Sequence, residues 1–134
     1  MAEDEDKDPA DAGRDDARWF DLITTEVVGI KHRGQAALAV VRSLDPAQEV
    51  RLEREPTNNY DPNAIKVHAT SKLAPGGTHI GYLPATQAAW LGAMMDNGLV
   101  LRAFVEYVNA SPANPEPASV TVTLRLRKGG VPKP

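Results

Sequence analysis

Two stretches of strict apolar–polar alternation flank a proline-stiffened loop in "EVRLEREPTNNYDPNAIKVHAT", residues 49–70. Val50 and Leu52 fall on one face of the first stretch and Arg51 and Glu53 on the other; in the second, Ile65 and Val67 point one way and Lys66 and His68 the other. A period of two marks a half-buried strand. The loop between holds Asn58, Asn59, Tyr60 and Asp61 between Pro56 and Pro62, and proline fixes φ wherever it stands. A chain with this unit at its centre is committed to paired, one-side-buried strands.

The rest follows the same pattern. A strand is predicted over about Ile23–Lys31, with Trp19 and Phe20 anchoring its start in the core. "GQAALAVVRSL" places Ala37, Leu38, Val41 and Leu44 at helical spacing before Asp45-Pro46 stops it. "HIGYL" is a short strand, and Pro84 suits the first turn of a helix whose stripe is Ala88, Leu91, Met94 and Met95. Asn97-Gly98 ends that helix. "LVLRAFVEYV" and "SVTVTLRLR" alternate again, around the loop "NASPANPEPA". About six strands and two short helices, without regular βα alternation, predict a mainly β, α+β fold: a small antiparallel barrel, closed or partly closed.

The 134 residues suit one domain with tails. Residues 1–18 carry eight acids and three bases, net −5, leaving ten acids and twelve bases, net +2, on the remainder. With almost no apolar residues the leader is expected to be disordered; the domain is expected over 19–128 and a flexible tail over 129–134. No apolar run approaches the ~18 residues of a membrane span, so no membrane partner is expected. With no cysteines, disulfides, thiolate nucleophiles and Cys-based zinc sites are excluded, and a cytoplasmic setting fits.

No motif points to catalysis or to a cofactor. His32, His68 and His79 make no compact ligand spacing. "DPN" at 61–63 lacks the glycine and closing glutamate of a calcium loop. "PGGT" lacks the spacing and the Lys-Ser/Thr of a phosphate-cradling loop, and no nucleophile elbow is present. The loop around Tyr60 is open to two readings. In one it is only a well-made turn, with Asn58 and Asn59 accepting turn geometry, the Asp61 carboxylate satisfying nearby backbone donors and Tyr60 packed over the strand ends. In the other, a rigidly held tyrosine offers a stacking surface for a base, and the neighbouring carboxylate accepts a hydrogen bond from a hydroxyl. "GIKHRG", with Lys31, His32 and Arg33, supplies a basic complement.

Three segments together, "VVGIKHRGQ" at 27–35, "VRLEREPTNNYDPNAIKV" at 50–67 and "IGYLPATQAAWLGAMMDNG" at 80–98, resemble the HIRAN domain family. The resemblance covers about residues 22–108, and its middle segment is the most specific. It implies a modified OB-like β-barrel that binds single-stranded DNA without catalysis, recognising the free 3′-hydroxyl end in DNA repair or replication-fork processing. It implies that Asp61 meets the 3′-hydroxyl, Tyr60 stacks on the terminal base, Asn58 lines the pocket, and Lys31 meets a phosphate. His32 and Arg33 stand where the family's DNA-end binder has an aromatic pair, and Tyr82 stands where a polar ring is used for phosphate contact. The partners implied are DNA 3′ ends and DNA-processing proteins. The chain, without a Walker motif or cysteines, reads as a stand-alone HIRAN module. A competing reading, a protein-interaction adaptor that keeps the barrel without DNA-end binding, is motivated by the missing aromatic pair and the overall acidity; an enzyme acting at nucleic-acid ends has only scattered carboxylates and histidines behind it.

Overall fold

The computed structural model describes residues 18–72, 74–111, 113 and 117–127. The acidic leader (save Arg18) and the C-terminal tail expected from the sequence lie outside them. The described residues form strands β1 (Trp19–Val27), β2 (Glu49–Arg54), β3 (Ile65–Ala69), β4 (Thr78–Tyr82), β5 (Leu101–Asn109) and β6 (Ser119–Arg127), with helices α1 (Gln35–Arg42) and α2 (Ala85–Asp96). They build one six-stranded sheet in the order β1-β6-β5-β2-β3-β4, with every ladder antiparallel. This is the mainly β architecture the alternation predicts.

The alternation sets the core. Val50, Ile65, Val67, Ile80, Val122 and Leu124 are buried on the inner face, each such side chain contributing roughly 1.5–3 kcal/mol by leaving water. From α1, Ala37, Val40 and Val41 join them, and from α2, Ala88 and Leu91; Leu38, expected in the α1 stripe, is only half-buried. Pro84 is the N-cap of α2 rather than part of its first turn, and its carbonyl accepts from the Gln87 and Ala88 amides. Among the described residues no helix is long and apolar enough to cross a membrane.

β1 differs from its expected span at both ends. It begins at Trp19 because Trp19, Phe20 and Asp21 already pair with Arg127, Leu126 and Arg125 of β6. It stops at Val27 because Gly29, at φ 79°, turns the chain into a single 3-10 turn over Ile30–His32. Trp19 and Phe20 do not anchor the core: Phe20 is 40% exposed, and Trp19 lies on the outer face against the Arg102 guanidinium, 5.4 Å from its ring centroid.

One residue past β1 the sheet meets itself. The Val28 amide donates to the Tyr82 carbonyl at 2.7 Å and the Tyr82 amide to the Val28 carbonyl at 2.9 Å, an antiparallel bridge between the two outer strands. Gly81 makes that approach possible: a Cβ there would lie 2.6 Å from the Val28 carbonyl oxygen and 2.6 Å from Val27 Cγ1. Gly81→Ala is therefore expected to cost roughly 1–3 kcal/mol, as overpacking does. Gly76→Ala, where a Cβ would have nothing within 4 Å, should stay within about 0.5 kcal/mol of the parent. Urea unfolding midpoints of the two variants decide it, and equal midpoints would contradict the close approach.

Candidate functional site

The loop after β2 is built by its own polar side chains. The Glu55 amide donates to the Ala64 carbonyl at 2.9 Å, closing the loop's base. Asn58 Oδ1 accepts from the amides of Tyr60 (2.8 Å) and Asp61 (3.0 Å), and Asp61 Oδ1 accepts from the Asn63 amide at 2.9 Å. These are the local side-chain-to-backbone bonds that asparagine and aspartate favour in turns. Tyr60 at the crown does not pack over the strand ends; it is 98% exposed. Arg54 clamps the base from below, donating to the Ala64 carbonyl and through two nitrogens to Asp96 of α2, each at 3.0 Å. Its guanidinium is also close to Gly92, where a Cβ would come within 3.3 Å of it.

Glu55 ties this loop to the closure of the sheet. Its Oε1 accepts from Asn58 Nδ2 at 2.9 Å and from the Tyr82 hydroxyl at 2.8 Å, while Oε2 lies 3.4 Å from Lys66 Nζ. The Asn58 bond, then the Tyr82 bond, hold the Glu55 carboxyl below its ordinary pKa. Burial, and then the Glu55 carboxylate, push the Tyr82 phenol up. The ring of Tyr82 carries Arg33 on its face, 5.8 Å from the centroid, and His79 on its edge at 4.8 Å and 83°.

His79 reaches that place through a β-bulge. Val67 pairs with Gly81 but His68 pairs with His79, so Ile80 is an extra residue in β4. Side chains three apart on a regular strand face opposite sides; the bulge turns His79 and Tyr82 to the same side. His79 Nε2 contacts the Gly81 carbonyl at 2.9 Å, and Arg33 Nη1 lies 3.1 Å from Nδ1. A carbonyl only accepts and a guanidinium only donates, which assigns the proton to Nε2 and makes Nδ1 the acceptor. Burial, first, and the Arg33 charge, second, hold the His79 pKa down and keep the ring neutral.

Of the residues singled out in the sequence, Arg33 and Asn58 are linked through Tyr82, by way of its ring and of Glu55. Tyr60 and Asp61 belong to the loop that Asn58 staples. Lys31 and His32 are exposed on the 3-10 turn beside Arg33, without side-chain hydrogen bonds to the loop among the described residues. Glu55 and His79 were not legible as site residues. The outward register Arg51, Glu53 extends to Glu55, which is the one signal that pointed to it; nothing in "HIGYL" announces the bulge.

Glu55 and His79 give the site a pH dependence of the same sign. Glu55, depressed below 4.5 in the folded chain, stabilises the loop above the unfolded carboxyl value, and that contribution is lost as pH falls through the lower folded one. His79, depressed below 6.5, takes up its proton more readily when unfolded, so acidification below about 6.5 also disfavours the native arrangement. Hydrogen exchange of the Asn58–Asp61 amides should accelerate on acidification, beyond the intrinsic rate change, before the β5–β6 amides respond. Glu55→Gln should remove the part of this below pH 4.5. Uniform acceleration across the molecule would contradict it.

The geometry can be set against known proteins. The family model for the HIRAN domain matches residues 20–127. The helicase-like transcription factor of Oryctolagus cuniculus is 40% identical over 84 residues, 63% of this chain but only 7% of the relative's length. A solved Lactobacillus plantarum protein superposes with TM-score 0.65 at 25% identity, covering 81% of this chain and 94% of its own. The crystal structure of the HIRAN domain of human HLTF superposes with TM-score 0.56 at 23% identity, covering 84% and 83%, a likeness that speaks to the fold. With the family model matching most of its length, this chain belongs to the HIRAN domain family.

Proposed function

We propose that the chain is a non-enzymatic module that binds single-stranded DNA at its free 3′-hydroxyl end. The observation that carries this reading is Tyr60, 98% exposed at the crown of a loop held by a set of hydrogen bonds within it. An aromatic ring left in water on a rigid backbone is a prepared stacking surface, and stacking on a base contributes about 1–3 kcal/mol. Asp61, next to it, uses Oδ1 for the Asn63 amide; Oδ2 has no hydrogen-bond partner among the described residues and can accept from a hydroxyl. A phosphate in that position would be repelled by the carboxylate, which gives the site a preference for the unphosphorylated end.

Tyr82 gives its hydroxyl proton to Glu55, so the donors for a phosphate are Lys31 and Arg33 on the 3-10 turn, and Tyr82 serves as the ring that seats Arg33. Asn58, its oxygen and amide both engaged within the protein, shapes the pocket. The same reading extends to a role at DNA ends in repair or replication-fork processing, with DNA-processing proteins as partners and a cytoplasmic setting.

Fluorescence anisotropy with labelled oligonucleotides tests this. A strand with a free 3′-hydroxyl should bind more tightly than the same strand with a 3′-phosphate. Tyr60→Ala should weaken the first by roughly 5- to 150-fold, the equivalent of one lost stacking contact. Asp61→Asn keeps an oxygen for the Asn63 amide and should erase the discrimination between the two ends. Equal binding of both strands by the parent protein would overturn end recognition; no binding of either would favour a protein-interaction adaptor.

A further inference from the structure

The ladders place a line of basic side chains straight across the outer face of the barrel. His79 of β4 pairs with His68 of β3, and His68 pairs with Arg51 of β2. The register of Val50 with Ala103, continued by one residue, sets Arg51 opposite Arg102 of β5, and Arg102 pairs with Arg125 of β6. Five neighbouring strands thus contribute five basic residues, and the row ends at Asp21 on β1, opposite Arg125; Glu53 flanks it on His68 at 2.7 Å and Glu49 on Arg102. Like charges directly across a ladder are unfavourable, so the Arg102–Arg125 pair runs against what sheet stability alone would select.

A groove of about 460 Å³ lies along this row. His68, Arg51, Arg102 and Glu49 line it together with the apolar Leu52 and Leu101. Its near end adjoins the candidate site, since His68 stands 5.5 Å from His79, which in turn touches Tyr82. Its far end is stiffened by rings: Arg102 lies over both Trp19 and Phe104, and Arg125 over Phe104, at 5.3–5.4 Å.

We infer that this row is the track on which the body of the bound strand lies, phosphates over the basic side chains, leading away from the end held at Tyr60 and Asp61. The inference rests on the function proposed above and extends it from one nucleotide to several. Four inter-strand spacings span about 19 Å, enough for a few nucleotides and in keeping with the ~4–16 that OB-type barrels cover. The acids beside the row leave Arg51 open. Glu53 is held by His68 at 2.7 Å and lies only 3.8 Å from Arg51, with the Arg51 and Glu53 side chains 64% and 46% exposed, and exposed pairs of this kind are weak and yield to a competing anion. Arg102 and Arg125 are paired with Glu49 and Asp21, which orients them while leaving Arg51 the most available cation of the groove.

Anisotropy titrations of the full chain with dT3 and dT10, each with a free 3′-hydroxyl and over a salt series, test the track. dT10 should bind at least about tenfold more tightly than dT3. Arg51→Gln, an exposed change, should weaken dT10 severalfold, leave dT3 unchanged, and reduce the salt slope of log K for dT10 by about 0.7, the signature of one lost phosphate contact on a single strand. Equal affinity for dT3 and dT10, or a dT10 titration unmoved by Arg51→Gln, would overturn the track and leave the end pocket standing. Binding of dT10 that needs Arg51 but ignores a 3′-phosphate would keep the track and remove the end pocket.

Discussion

Two backbone hydrogen bonds between Val28 and Tyr82 hold the two outer strands of the sheet, β1 and β4, together. Each is worth about 1 kcal/mol net on its own, yet everything at the site depends on their position. They bring the 3-10 turn with Arg33 to the edge of β4, and they fix Tyr82 where its ring meets Arg33 and its hydroxyl meets Glu55. The absence of a side chain at Gly81 is the steric condition for both. The glycine before the tyrosine in "IGYLP" is thus a packing requirement with a functional consequence.

From that closure the polar groups organise in two directions. Glu55 collects Asn58, Tyr82 and Lys66 and so couples the loop to the sheet. Neutral His79 accepts from Arg33 and keeps a guanidinium at the site without adding a second charge. The pattern spends nearly every donor and acceptor of Asn58, Tyr82 and His79 inside the protein. What faces solvent is a bare ring at Tyr60, a carboxylate oxygen at Asp61 and cations on the turn. Rigid scaffold inside and unsatisfied groups outside is the arrangement expected of a binding surface rather than of a loop that merely connects strands.

Much of this was written in the sequence. Strands with a clean period of two, β2, β3, β5 and β6, appear close to where alternation predicts them, because burial of one face is decided residue by residue. The loop staple of Asp61 was equally legible, since it acts within two residues; Asn58 was legible as a turn residue, and its bonds to the Tyr60 and Asp61 amides were not. The start of β1 was not: Trp19 and Phe20 look like core residues, but ladder pairing with Arg125–Arg127 carries them to the barrel's outer face and rim. Glu55 and His79 escaped for a related reason. Their roles come from contacts 27 residues away in one case and 46 in the other, and the bulge at Ile80 breaks the very alternation by which faces are assigned. The basic row is likewise a property of register, visible only when the strands are laid side by side.

The most direct measurement is a backbone amide NMR titration of the full chain with a short oligothymidylate bearing a free 3′-hydroxyl. Shift changes should concentrate on Ile30–Arg33, Glu55–Asp61 and Tyr82, and should be much weaker with the 3′-phosphorylated strand. Changes that spare these three segments, or that are the same for both strands, would contradict a site assembled by the Val28–Tyr82 closure for a DNA 3′ end.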